Sequence, residues 1–393
     1  MSETYRFSSD PERTRRIQAL RSRMTQDGLD ALIVCGRDDI RYRGRAFYVS
    51  DVWQLVADTH VVILPEGAPI FVGGQVFGLE QAELSDWIGE RRINGNPGAE
   101  LATVLREHGV ESGTVGLVGL SDAALSAWHF SELKAGLPTA SFRDATELFE
   151  AVRQVNSAET LASFADTSAL MRLIYAALEP TIRPGMREID LAAEAHRVSR
   201  EHGLRDPMIL LQTTPFGAIG FGTTKQIERT DVLTVWIESA GPSGYWVEYR
   251  RCYTFGAPSA DTSRFWELQK EATITAGRAL RPGAMASDFV RAAEDILKKG
   301  GFDFGYADVS DSHYMFSLHG IGTDAIQGVW VPGNDRVLQD SEVVNVHPTI
   351  DFRNHDDLRK YGWLGVTDNM LVTADGGQFM THEADVRDGF IAL

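Results

Sequence analysis

One pattern occurs twice in this chain, and it constrains the fold more than any other feature. Ile182-Arg-Pro-Gly-Met-Arg-Glu-Ile-Asp-Leu191 and Leu280-Arg-Pro-Gly-Ala-Met-Ala-Ser-Asp-Phe289 share an apolar residue, an Arg-Pro-Gly turn and a helical pattern. Each helical pattern runs to a glycine signal, at Glu201-His202-Gly203 and at Lys299-Gly300-Gly301. Proline and glycine make a turn before the helix, with Asp190, or Ser287 and Asp288, near its start. The copies lie 98 residues apart, which reads as an internal duplication of two helix-plus-strand halves facing each other. Strand-rich segments follow each copy: Val232–Glu238 and Tyr245–Phe255 around the hairpin turn Gly241-Pro-Ser-Gly244, then Glu342–Ile350 and Gly365–Thr373. Ala158–Leu178 precedes them as a long amphipathic helix.

The first part of the chain reads differently. Residues 11–29 carry the apolar stripe of a helix, and Ala31–Val34, Val61–Leu64, Ile70–Val72 and Val115–Val118 are short apolar runs separated by turns and helical patterns. That alternation predicts an α/β domain with a central sheet over residues 1–152, followed by a second domain over 153–393. The net charge of −17 argues against nucleic acid or an anionic membrane as the main partner. No uninterrupted apolar run reaches the roughly 18–20 residues of a membrane span, and the polar stretch Met1–Arg16 does not read as a signal peptide. Two distant cysteines, Cys35 and Cys252, fit a reducing cytoplasm and exclude a disulfide scaffold.

Several segments, in order and at consistent spacing, resemble the creatinase / aminopeptidase P / prolidase family with its pita-bread fold. They are Arg153-Gln-Val-Asn-Ser-Ala-Glu159, the two Arg-Pro-Gly helices, Gly244-Tyr245 through Arg251, His319-Gly-Ile-Gly322, Val346-His347-Pro348 and Asp368-Asn-Met-Leu-Val-Thr373. The resemblance implies an N-terminal creatinase-like α/β domain and a C-terminal pita-bread catalytic domain with a pseudo-twofold duplication. It also implies a homodimer in which the N-terminal domain of one subunit lies near the other's site.

Metallopeptidase members hold two metal ions with two aspartates, a histidine and two glutamates. Here the first aspartate position falls at Trp236 or Ile237, the second at Glu248, the histidine at His319, the first glutamate at His347 and the second at Thr367. A further histidine position falls at Ile326. A dinuclear site needs bridging carboxylates, so the substitutions predict that Xaa-Pro peptidase activity and the dinuclear centre are both lost. Glu238-Ser-Ala-Gly241 is similar to a segment of ectoine hydrolases in which the glutamate is a catalytic candidate. The leading expectation is therefore a creatinase-like hydrolase of a non-peptide C–N bond in a small guanidino, amidine or betaine compound, without metal. Glu238, Glu248, His319 and His347 are its catalytic candidates, dividing acid and base roles.

Two other readings stay open. Glu248, His319 and His347 form a set of two imidazoles and one carboxylate, suited to a single Fe, Zn or Mn ion in a hydrolase or lyase. A binding or scaffold protein on the same fold would need no catalysis. A purely structural network would instead pair the two glutamates with Arg250 and Arg251. Substrate-binding candidates are Arg43, Arg45 and Trp53 from the arginine-rich stretch near the N-terminus, Tyr245, Arg251, and Arg353 in a charged loop. His313 and Asp324 flank His319 as possible supporting groups.

Overall fold

A computed structural model describes residues 7–53, 58–75, 82–83, 85–122, 124–214, 220–302, 318–330, 335–348, 355–381 and 389–393. The chain divides into two compact units, Met1–Val155 and Asn156–Leu393. The first contains α1 (Asp10–Asp27), β1 (Ala31–Gly36), α2 (Arg43–Tyr48), β2 (Thr59–Ile63), β3 (Ile70–Gly73), β4 (Glu90–Ile93), α3 (Pro97–Glu107), β5 (Thr114–Val118), α4 (Ala127–Gly136), β6 (Ser141–Asp144) and α5 (Thr146–Arg153). The Ser9 side chain caps α1 by accepting from the Glu12 amide, and Gly28 at φ 64° ends it. The strands form one sheet in the order β4-β3-β2-β1-β5-β6. β1 is buried along its whole length because it lies between an antiparallel neighbour, β2, and a parallel one, β5.

The second unit contains α6 (Ala158–Leu178), α7 (Glu188–Glu201), β7 (Arg205–Thr214), β8 (Val232–Ala240), β9 (Trp246–Thr254), α8 (Ala260–Gly277) and α9 (Ser287–Lys299). It continues with β10 (Leu318–Gly320), β11 (Val343–Val346), α10 (His355–Tyr361), β12 (Asp368–Thr373), β13 (Gly376–Phe379) and β14 (Phe390–Ala392). Its strands make two sheets, β14-β9-β8-β7 and β10-β11-β12-β13.

The duplication is visible in the backbone bonding. Gly185 and Gly283 both sit at φ 86°, in the left-handed region that glycine tolerates. The Gly185 amide donates to the Ile227 carbonyl, and the Ile227 amide returns a bond to Met186. The Gly283 amide donates to the Leu338 carbonyl, and the Leu338 amide returns one to Ala284. The side chains repeat too. Lys225 pairs with Asp231, which accepts from the Glu228 amide. Arg336 pairs with Glu342, which accepts from the Gln339 amide. In both halves the acid stands immediately before a central strand, β8 or β11, so these strands occupy equivalent places.

By length and composition alone α6, counted on to Thr181, passes as long and apolar enough to cross a membrane, although Glu159, Asp166 and Arg172 interrupt its apolar run. Phe164, Met171, Ile174, Tyr175 and Leu178 of this helix are instead buried within the unit. The Tyr175 hydroxyl donates to the carbonyls of Val235 and Tyr249, at 3.0 and 2.9 Å, holding β8 and β9 under the helix.

The first unit buries an uncompensated histidine. His60 on β2 is fully buried, with Nε2 3.3 Å from Nδ1 of His129. Burial, then the neighbouring His129, pushes His60 from 6.5 to about 3. The native ring is neutral, while the unfolded chain takes up a proton as pH falls through the ordinary value. This contribution to stability is therefore intact above 6.5 and declines as pH falls from there towards about 3. His60→Gln is expected to flatten that decline by up to about 1.4 kcal/mol per pH unit. Denaturant unfolding midpoints at a series of mildly acidic pH values check this; a slope as steep as the wild type's would refute it.

Candidate metal centre

The site is assembled where the two sheets of the second unit meet. β8 and β9 are paired so that Glu238 lies opposite Glu248, and Trp236 opposite Arg250. Alternation along the strands therefore puts these four side chains on one face. From the other sheet, β10 supplies His319 and the residue after β11 supplies His347. Glu248, His319 and His347 are all almost fully buried. One donor atom from each of these three lies within 4.8 Å of the other two. Nε2 of His319 is 3.2 Å from Oε2 of Glu248, and Nε2 of His347 is 3.8 Å from Oε1.

The donor set fits a single divalent cation. Among the described residues the buried Glu248 Oε1 atom has no hydrogen-bond partner, and His347 Nδ1 has none in any other residue. The His319 Nδ1 atom is 3.0 Å from the Gly320 carbonyl, which orients the ring with Nε2 towards Glu248. Burial, then His319, then Arg250, hold His347 well below its ordinary value. A neutral imidazole is the form that ligates metal. Three donors from two sheets match the one-carboxylate, two-histidine pattern of mononuclear sites with open positions.

The aromatic surroundings are specific. The Trp236 ring packs 5.4 Å from the His347 ring, and 5.4 Å from Trp363. The Arg250 guanidinium carbon stands 4.1 Å from the Trp236 ring centre and 5.8 Å from that of Trp363. Sequence reasoning missed Trp363, and it treated Arg250 only as a structural partner for the glutamates. The strand alternation of Glu248 and Arg250 was the available signal.

The other candidates fall elsewhere. Arg251 points to the opposite face of β9, where it pairs with Glu179 at 2.5 Å and lies over Tyr175. Tyr245 is buried against Phe164 and Thr160 of α6. Arg45 is an internal anchor, bonded at 2.7 Å to Asp122 and 2.8 Å to Glu150. Arg43 bonds to Asp38 and stacks on Trp53, whose ring packs edge-on to Phe47. The expected pairing of the glutamates with Arg250 and Arg251 is replaced by these contacts and by an Arg250 bond to the Trp363 carbonyl at 2.8 Å. Arg353 and His313 lie outside the described residues.

Comparison with known proteins corrects the chemical expectation. Residues 164–374 match metallopeptidase family M24, and residues 16–155 match the creatinase/prolidase N-terminal domain. A probable dipeptidase PepE of Mycobacterium bovis is 25% identical over 237 residues, 59% of this chain and 60% of that protein. The match thus spans about 60% of that relative's length. An Xaa-Pro dipeptidase of Lactobacillus helveticus is 22% identical across 91% of this chain and 97% of its own. The crystal structure of dipeptidase PepE from Mycobacterium ulcerans shares the fold, with a TM-score of 0.75 at 22% identity, covering 95% of this chain and 96% of that one. A creatinase of Bacillus sp. matches at 23% identity over 351 residues, 83% of this chain and 82% of that protein. The expected metal-free, creatinase-like cleavage of a non-peptide C–N bond is therefore overturned. So is the expectation that peptidase activity is absent. The leading expectation gave too much weight to the lost bridging carboxylates; the single-metal reading left open beside it uses Glu248, His319 and His347, whose donor atoms lie together. With the matched region covering more than half its length, the chain belongs to metallopeptidase family M24, in its pita-bread fold.

Proposed function

We propose that this protein is a metal-dependent hydrolase of amide bonds in small peptides, with one divalent ion held by Glu248, His319 and His347. The observation that carries the reading is the convergence of these buried donors within 4.8 Å, with Glu248 Oε1 left unpartnered. The peptidase relatives support the amide bond as the target. A divalent ion in this place supplies Lewis acidity to a carbonyl. Glu238, across the strand pair from Glu248 and outside the three-donor group, is the general base. It takes a proton from the attacking water and returns it to the leaving amine as the C–N bond breaks. Trp236, against His347, limits access of bulk water to this face.

Metal content and dipeptide hydrolysis test the reading together. Purified protein is expected to carry about one divalent ion per chain, and His347→Ala to lose it along with activity. Plasma mass spectrometry that finds the same metal content in His347→Ala as in the wild type would refute the ligand assignment. Separately, Glu238→Gln is expected to keep the metal while kcat on dipeptides, including Xaa-Pro dipeptides, falls by about 100-fold or more. A Glu238→Gln enzyme with near-normal kcat would remove that residue from the chemistry.

A further inference from the structure

We propose that Arg250, stacked on Trp236 and Trp363, is an anion-recognition residue that receives the carboxylate of the substrate. The proposal deepens the amide-hydrolase reading, on which the choice of a carboxylate-bearing peptide rests.

Arg250 is only 5% exposed, and a buried charge requires compensation. Other buried arginines in this chain have it. Arg13 pairs with Asp51, Arg16 with Glu12, Arg45 with Asp122 and Glu150, and Arg153 with Glu150. Arg250 donates through Nη1 to the Trp363 carbonyl, while its Nε and Nη2 have no partner among the described residues. The neighbouring acid on the same face, Glu248, offsets part of this charge from a distance, but its oxygens are turned to His319 and His347 and not to the guanidinium.

The two unpartnered nitrogens share one edge of the guanidinium. That edge is the one with which this protein already grips carboxylates. Arg15 uses Nε and Nη2 on the two oxygens of Glu12, at 2.8 Å each. Arg187 uses the same pair on Asp190, at 2.8 and 2.6 Å. Arg250 thus presents an unused two-pronged fork of the kind that fits a carboxylate. The tryptophan faces stabilise its charge without occupying its in-plane donors. The indole Nε1 of Trp236 is also buried and unpartnered, adding a third donor to the same neighbourhood. Burial lowers Arg250 to about 10, which leaves it cationic at neutral pH.

Position completes the argument. Arg250 lies two residues along β9 from Glu248, a rise of about 7 Å. A peptide anchored on Arg250 by its terminal carboxylate would place its nearest amide towards Glu248 and the two histidines.

Binding tests this without relying on turnover. Tryptophan fluorescence would follow titration of the metal-loaded protein with L-proline and L-leucine, and with L-prolinamide and L-leucinamide. The wild type is expected to bind at least one acid about 30-fold or more tightly than its amide. Arg250→Met is expected to erase that preference. Arg250→Lys keeps the charge but loses the fork, and is expected to retain part of it. Equal binding of acids and amides by the wild type would overturn the proposal, as would an undiminished preference in Arg250→Met. If circular dichroism shows that Arg250→Met does not fold, an undiminished preference in Arg250→Lys overturns it. An Arg250-dependent preference in a protein without hydrolytic activity would sink the hydrolase reading alone. Dipeptide hydrolysis without the preference would sink the anion subsite alone.

Discussion

The second unit depends on how its two sheets are joined at Glu248. The backbone of that residue accepts a bond from the Asn369 side chain at 3.2 Å, and Asn345 donates to Asn369 at 3.1 Å. Near the hairpin, the Trp246 amide donates to the Gly322 carbonyl at 2.7 Å. The Glu248 side chain then meets His319 from the other sheet. Buried polar groups are costly unless satisfied. These bonds therefore fix both the approach of the sheets and the place where a carboxylate and two imidazoles converge. The donor set is a consequence of the seam, not an addition to it.

Much of this was legible in the sequence, and the reasons are local. The helix Ala158–Leu178 was bounded by an N-cap serine before it and a proline shortly after it. The repeated Arg-Pro-Gly turns foretold two equivalent halves because a glycine at positive φ recurs in each. The trio Glu248, His319 and His347 was nameable because each sits in a recognisable segment. What the sequence withheld was side-chain direction. Arg250 and Arg251 are adjacent letters, yet one faces the donor cluster and the other pairs with Glu179 behind the strand. Arg45 likewise reads as a substrate-binding cation, but its partners Asp122 and Glu150 are 77 and 105 residues away. Only tertiary structure brings such charges together.

The same distance effect explains the chemical correction. Counting substituted ligand positions one by one suggests a dismantled centre. In three dimensions Glu248, His319 and His347 are contiguous, and at one substituted position an indole, Trp236, packs against them. Trp236 packs on both His347 and Arg250, so the metal ligands and the guanidinium share one wall.

Trp236 and His347 also hold matching places in the two halves, each five residues past the acid that precedes its central strand, Asp231 or Glu342. Their rings pack edge-on, 5.4 Å apart. A gene that doubles a half-domain creates two copies of every position at the dyad, and selection can then specialise them separately. Here one of the two matching places carries an imidazole and the other an indole, so a donor and an apolar wall stand at equivalent positions. Residue 236 is accordingly the natural first partner to vary whenever residue 347 is changed, since the two rings pack on each other.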